Sequence, residues 1–149
     1  MTGINHILVG GIIGATVATP VALPLAFASH FLLDALPHYG IDEGVERSKD
    51  WVWKVDAVLI AIFAIYMYSA SFDVRLWAIA SAVAAVSPDF AWIYRFSVKE
   101  RFGKTKPQET KNKFNQFHAD IQKHESKDLL WVEAVVLVAL IGVFGNIIN

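Results

Sequence analysis

The chain has 149 residues, 55% of them apolar and 13% aromatic, with a mean hydropathy of +0.43, which is greasier than a soluble domain of this size ordinarily is. A formal net charge of -1 gives no electrostatic footing for nucleic acid. The absence of cysteine excludes a disulfide framework and any thiolate metal site, so a bound ion must take nitrogen and oxygen ligands.

The composition predicts an all-α fold: an integral membrane helical bundle of about five apolar helices, forming a single membrane domain over residues 1–149. Residues 1–38 read as a short helical pair, Ile4 to Thr19 and Val21 to Leu36, divided at Pro20 and with Pro24 near the start of the second helix. Both are short against the roughly 20 residues that a spanning helix needs, so a thin spanning hairpin and a re-entrant one both fit. Gly10, Gly11 and Gly14 suit close helix packing. The start of the chain lacks the basic region and clear cleavage site of a signal peptide, which predicts that the first helix is retained.

The end of this pair is the richest stretch chemically. In Ser29-His30-Phe31-Leu32-Leu33-Asp34-Ala35-Leu36-Pro37-His38-Tyr39-Gly40, two histidines and a carboxylate stand at four-residue intervals within an apolar run. On a helix, His30 and Asp34 share a face, and His38 continues it where Pro37 loosens the chain. Unpaired, such groups are expensive to desolvate; as ligands of zinc, manganese or iron they are not. Capping of the helix end or contact with headgroups is the alternative reading.

Residues 51–70 form a third span, opened by Trp51 and Trp53 and closed by Tyr66 and Tyr68 as an aromatic belt. Residues 75–95 form the fourth, residues 129–148 the last, and residues 96–128 a basic loop between them. From Arg95 to Lys113 there are seven basic residues against Glu100 and Glu109, which predicts a cytoplasmic loop by the positive-inside rule. Counting back through the spans, the amino terminus and the Ile41 to Asp50 loop are also cytoplasmic, which predicts a multi-pass protein of the cell's inner membrane.

That orientation brings His6, His30, Asp34, His38, Asp56, Asp89 and Glu133 to similar depth on the cytoplasmic side, the arrangement expected of a metal site in a bundle. Asp89 follows Pro88, which frees a backbone carbonyl and favours a kink. Glu133 suits either the site or the dipole at a helix start. In Lys111 to Lys123, Phe114, Phe117, His118 and Ile121 recur at helical spacing, which predicts a short amphipathic helix on the cytoplasmic membrane surface. His118 would lie over the site as a lid ligand or general acid. His124 reads as solvated.

Asn5-His6-Ile7-Leu8-Val9-Gly10-Gly11, the His30 to Asp34 segment and the dipeptide Pro88-Asp89 resemble pieces of the membrane-bound metal-dependent hydrolase family, and the His-x-x-x-Asp segment is also similar to one ligand helix of zinc-dependent phospholipase C. The resemblance implies His6, His30, Asp34 and Asp89 as metal ligands. The family's His-Arg-Gly-x-Thr-His-Ser motif has no counterpart here, and Pro-Asp follows the His-x-x-x-Asp segment instead of preceding it.

Residues and resemblance together predict a hydrolase that acts on a lipid-like phosphoester or ester at the cytoplasmic interface. One or two divalent transition-metal ions, zinc first among them, would be held by His6, His30, Asp34, His38 and Asp89, with Asp56 or His118 handling the proton. The basic loop favours an anionic headgroup and hence a phosphoester. Two other classes fit the sequence: an ion- or proton-coupled transporter, for which a homo-oligomer would supply the pathway, and a non-catalytic membrane module stapled by a structural metal.

Overall fold

In the computed structural model, residues 1–40, 51–68, 71–90, 113–122 and 124–148 are described. They form α1 (Gly3–Val17), α2 (Ala22–Asp34), α3 (Val52–Tyr68), α4 (Phe72–Val86), α5 (Lys113–Ile121) and α6 (Leu130–Ile148), with single 3₁₀ turns at Ser87–Asp89 and Lys127–Leu129. The fold is all-α. The expected loop over Ile41 to Asp50, the last residues of the fourth span and most of the basic loop lie outside the described residues.

The first two helices follow the expected pair. α1 ends where Ala18 takes a left-handed conformation, its N–H donating to the Gly14 carbonyl, and Pro20 then starts the turn into α2. α4 begins three residues before Arg75, whose guanidinium reaches back to the Tyr68 carbonyl at 2.9 Å and lies over the rings of Tyr68 and Phe72. The helix turns 3₁₀ at Ser87 because Pro88 offers no N–H to the Ala84 carbonyl, which accepts from Ser87 Oγ instead.

α1 is the central helix and packs against all four of α2, α3, α4 and α6. Its closest approach is to α4, through glycine: a Cβ on Gly10 would meet the Ser81 carbonyl oxygen at 2.5 Å and Ala82 Cα at 2.8 Å, and one on Gly14 would collide with the Trp77 carbonyl. The core gathers around α1, where Ile4, Ile7 and Leu8 join Phe63, Met67 and Phe144 with Ala78 and Ala82 of α4. Hydrogen bonds bring the starts of α1, α3 and α6 and the ends of α2 and α4 to one end of the bundle.

Beside this apolar core lies a buried polar cluster, while many large apolar side chains face outward. His6, His30, Asp34, His38 and His118 are fully buried, whereas Leu32, Ile65, Tyr68 and Val138 are 71–81% exposed. The stretch Lys127–Ile147 is, among the described residues, the one helix long and apolar enough to cross a membrane by length and composition. α1 and α2, at 15 and 13 residues, are apolar but shorter. α3 and α4 hold 17 and 15 residues, shorter than the spans expected at 51–70 and 75–95.

Candidate metal centre

The site is built at the shared end of the helices. α2 stops at Asp34, just before Pro37 ends any helical continuation, so His30 and Asp34 lie one turn apart on the last turn with His30 Nε2 3.1 Å from Asp34 Oδ2. α5 supplies His118, whose Nε2 stands 3.0 Å from the same Asp34 oxygen and 2.9 Å from His30 Nε2. Phe31, beside His30, fixes α5 in place: its ring meets those of Phe114, Phe117 and His118 at centroid distances of 6.0, 5.6 and 5.8 Å. Asp89, carried by the 3₁₀ turn after α4, places Oδ1 3.7 Å from His30 Nε2 and 3.8 Å from His118 Nε2.

His30, Asp34, Asp89 and His118 form a group that could hold a metal ion, one donor atom from each lying within 4.8 Å of the others. Donors about 2.0–2.1 Å from a tetrahedral ion stand roughly 3.3 Å apart, a value that the separations here bracket. The tautomer of His30 sharpens the case. Its Nδ1 faces the Ala85 carbonyl at 2.8 Å and must donate to it. Neutral His30 therefore presents a lone pair at Nε2, and that lone pair faces a carboxylate oxygen and a second imidazole nitrogen. Converging lone pairs repel unless a proton or a cation lies among them; a divalent ion satisfies all four donors at once, and the anchored Nδ1–H is the usual support of a metal-bound imidazole.

Ala85 can play that part because it lies in the last turn of α4, where carbonyls have no intrahelical partner. Gln122, one turn after His118, donates from Nε2 to Asp34 Oδ2 at 3.0 Å. Sequence reasoning missed both. His118-x-x-x-Gln122 is a helical-face spacing and could have drawn attention to the glutamine, but nothing in the sequence singles out an alanine carbonyl.

The other sequence candidates surround the group. His6 stacks on His30 with ring centroids 4.2 Å apart and places Nε2 3.0 Å from Asp34 Oδ1, the oxygen turned away from the four-donor group; it reads as an orienting partner of the carboxylate. The Met1 amino group lies 2.6 Å from that same oxygen. His38 is buried but engages Glu125, with Nε2 3.3 Å from Oε1 and Nδ1 donating to the Leu36 carbonyl at 2.7 Å, and its backbone bridges to the 125–126 segment. Asp56 accepts from the N–H groups of Gly3 and Ile4 at 3.0 and 2.8 Å, so it caps α1 from a neighbouring helix. Glu133 accepts from Thr2 N, Thr2 Oγ1, Asn5 Nδ2 and Tyr39 N, which ties the starts of α1 and α6 to the loop after α2. His124 is exposed.

The site therefore divides into a compact N₂O₂ donor set, a ring of residues that orient it (His6, Gln122 and the Ala85 carbonyl), and two carboxylates, Asp56 and Glu133, that hold the helix ends carrying it. His118, expected as a lid ligand or a general acid, lies in the donor set. Comparison with known proteins yields no relative: no protein-family model, no curated protein and no solved structure matches this chain.

Proposed function

We propose that the chain is a multi-pass membrane protein whose metal centre hydrolyses a lipid-like phosphoester or ester at the cytoplasmic interface. The observation that carries this reading is the convergence of His30, Asp34, Asp89 and His118 in a molecule whose exterior is apolar. A buried set of lone-pair donors is poorly suited to an empty core and well suited to a divalent ion, zinc first by its preference for mixed nitrogen and oxygen ligands, then manganese or iron. Such an ion supplies a water of lowered pKa and polarises a phosphoryl or acyl oxygen.

The surroundings support a lipid as the partner. Exposed Phe27 and Leu32 on α2 and Leu36 just after it, with Phe114 and Phe117 on α5, flank the centre with apolar surface, so a lipid could keep its chains in the bilayer while its headgroup reaches the donors. The basic residues between Arg95 and Lys113 favour an anionic headgroup and a cytoplasmic face. The partial motif resemblance to membrane-bound metal-dependent hydrolases points the same way.

The test is metal content followed by turnover. Protein purified in detergent should carry close to one or two transition-metal ions per chain by elemental analysis, and should hydrolyse phospholipid in mixed micelles, with activity abolished by chelation and restored by zinc or manganese. Protein that takes up no ion from zinc, manganese or iron ends the reading. One that binds an ion but turns over no lipid ester favours a structural staple, and metal flux into proteoliposomes favours transport.

A further inference from the structure

The four donors are not equivalent. His30 Nε2, His118 Nε2 and Asp34 Oδ2 lie 2.9, 3.0 and 3.1 Å from one another, in three fully buried side chains. Asp89 Oδ1 stands back at 3.7 and 3.8 Å from the two nitrogens, and its side chain keeps 24% of its surface accessible. Two imidazoles and one carboxylate form a complete ligand set for a catalytic ion, with a coordination position left for a reactant. A carboxylate just beyond them, reaching solvent, stands where a general base stands: one water away from the centre.

Resting on the hydrolytic reading above, we infer that His30, Asp34 and His118 are the ligands and that Asp89 is the general base. In the reaction the water oxygen bonds to phosphorus while its proton passes to the Asp89 carboxylate. The bond from phosphorus to the leaving oxygen breaks, and the proton goes from Asp89 to that oxygen, which returns Asp89 to its starting form. The accessible edge of Asp89 also marks the mouth of the site, because the other three donors are closed to solvent.

The experiment uses the full chain loaded with cobalt(II), whose visible spectrum reports its coordination. Wild type should bind cobalt(II) tightly and change its spectrum on addition of inorganic phosphate. Asp89→Asn should retain cobalt(II) within about tenfold of wild-type affinity, whereas His118→Ala should lose more than about a hundredfold. Hydrolysis of bis(p-nitrophenyl) phosphate and of phospholipid micelles should fall about 10²-fold or more in Asp89→Asn. A spectrum indifferent to phosphate, or an Asp89→Asn variant that loses the ion as His118→Ala does, makes Asp89 a fourth ligand and overturns the inference while leaving the metal centre standing. A variant that keeps both ion and turnover removes Asp89 from proton transfer. Wild type that binds no ion, or binds one and hydrolyses neither probe, overturns the hydrolytic reading itself, and the assignment of Asp89 falls with it.

Discussion

His30 depends on both of its ring nitrogens, and the half of its environment that fixes the tautomer is backbone. The Ala85 carbonyl that receives its Nδ1–H is available because α4 stops at Val86 and Pro88 forces a 3₁₀ turn. Replacing Pro88 by alanine should let α4 run on, return that carbonyl to a helical N–H and leave His30 without its acceptor. Metal affinity in Pro88→Ala, measured by competition with a chromophoric chelator, should fall about 10- to 100-fold, the usual effect of losing a partner behind a ligand. Sequence reading found the residues whose types are costly in an apolar run: His6, His30, Asp34, Asp56, Asp89 and Glu133. It gave Asp56 to proton transfer without sight of its partners, and a buried carboxylate can be satisfied either by a metal or by a neighbour's N–H groups. Asp56 takes the second course with Gly3 and Ile4, more than 50 residues away in sequence. Gln122 escaped notice because a glutamine on the polar face of a short helix is ordinary.

At the scale of the helices, the α1–α4 contact sets the distance between the two halves of the site, since α1 carries His6 and α4 carries Ala85 and leads into the turn that bears Asp89. Gly14→Ala should force α1 away from the Trp77 carbonyl and Ala78, whose Cα would lie 2.8 Å from the new methyl, and lower stability by about 1–3 kcal/mol. Gly142→Ala on α6 is the control: a Cβ there meets nothing within 4 Å, so the gain in helix propensity should stabilise by up to about 1 kcal/mol. Thermal melts in detergent separate the two, and opposite signs are expected. The glycines' packing role, the turn at Pro20 and the amphipathic character of 113–121 were legible from spacing alone. The early start of α4 was not, because Asp73 reads as a turn residue between two apolar runs, whereas α4 begins at Phe72 and Arg75 folds back on Tyr68.

For the whole molecule, the exposed apolar side chains and the gathering of helix ends at one level predict a sided protein. In the proposed orientation α5 lies on the cytoplasmic face, and the far end of α6 lies across the bilayer. Cysteines introduced as Gln116→Cys and Asn146→Cys, both at exposed positions, should react with an impermeant maleimide from opposite sides of sealed vesicles. Labelling from one side only would break the topology. A consequence of the His6 to Asp34 contact concerns time. His118 is 84 residues beyond Asp34 in the chain, a delay of roughly 4–17 s at 5–20 residues per second of synthesis. Throughout that interval His118 and Gln122 do not yet exist. His6 comes only 28 residues before Asp34, so the first hairpin can give its acid a partner as soon as it forms. In the proposed membrane reading His6 is the companion of Asp34 while the first hairpin enters the bilayer, and an ion bound as proposed would be gripped only once α5, made much later, closes over the pair.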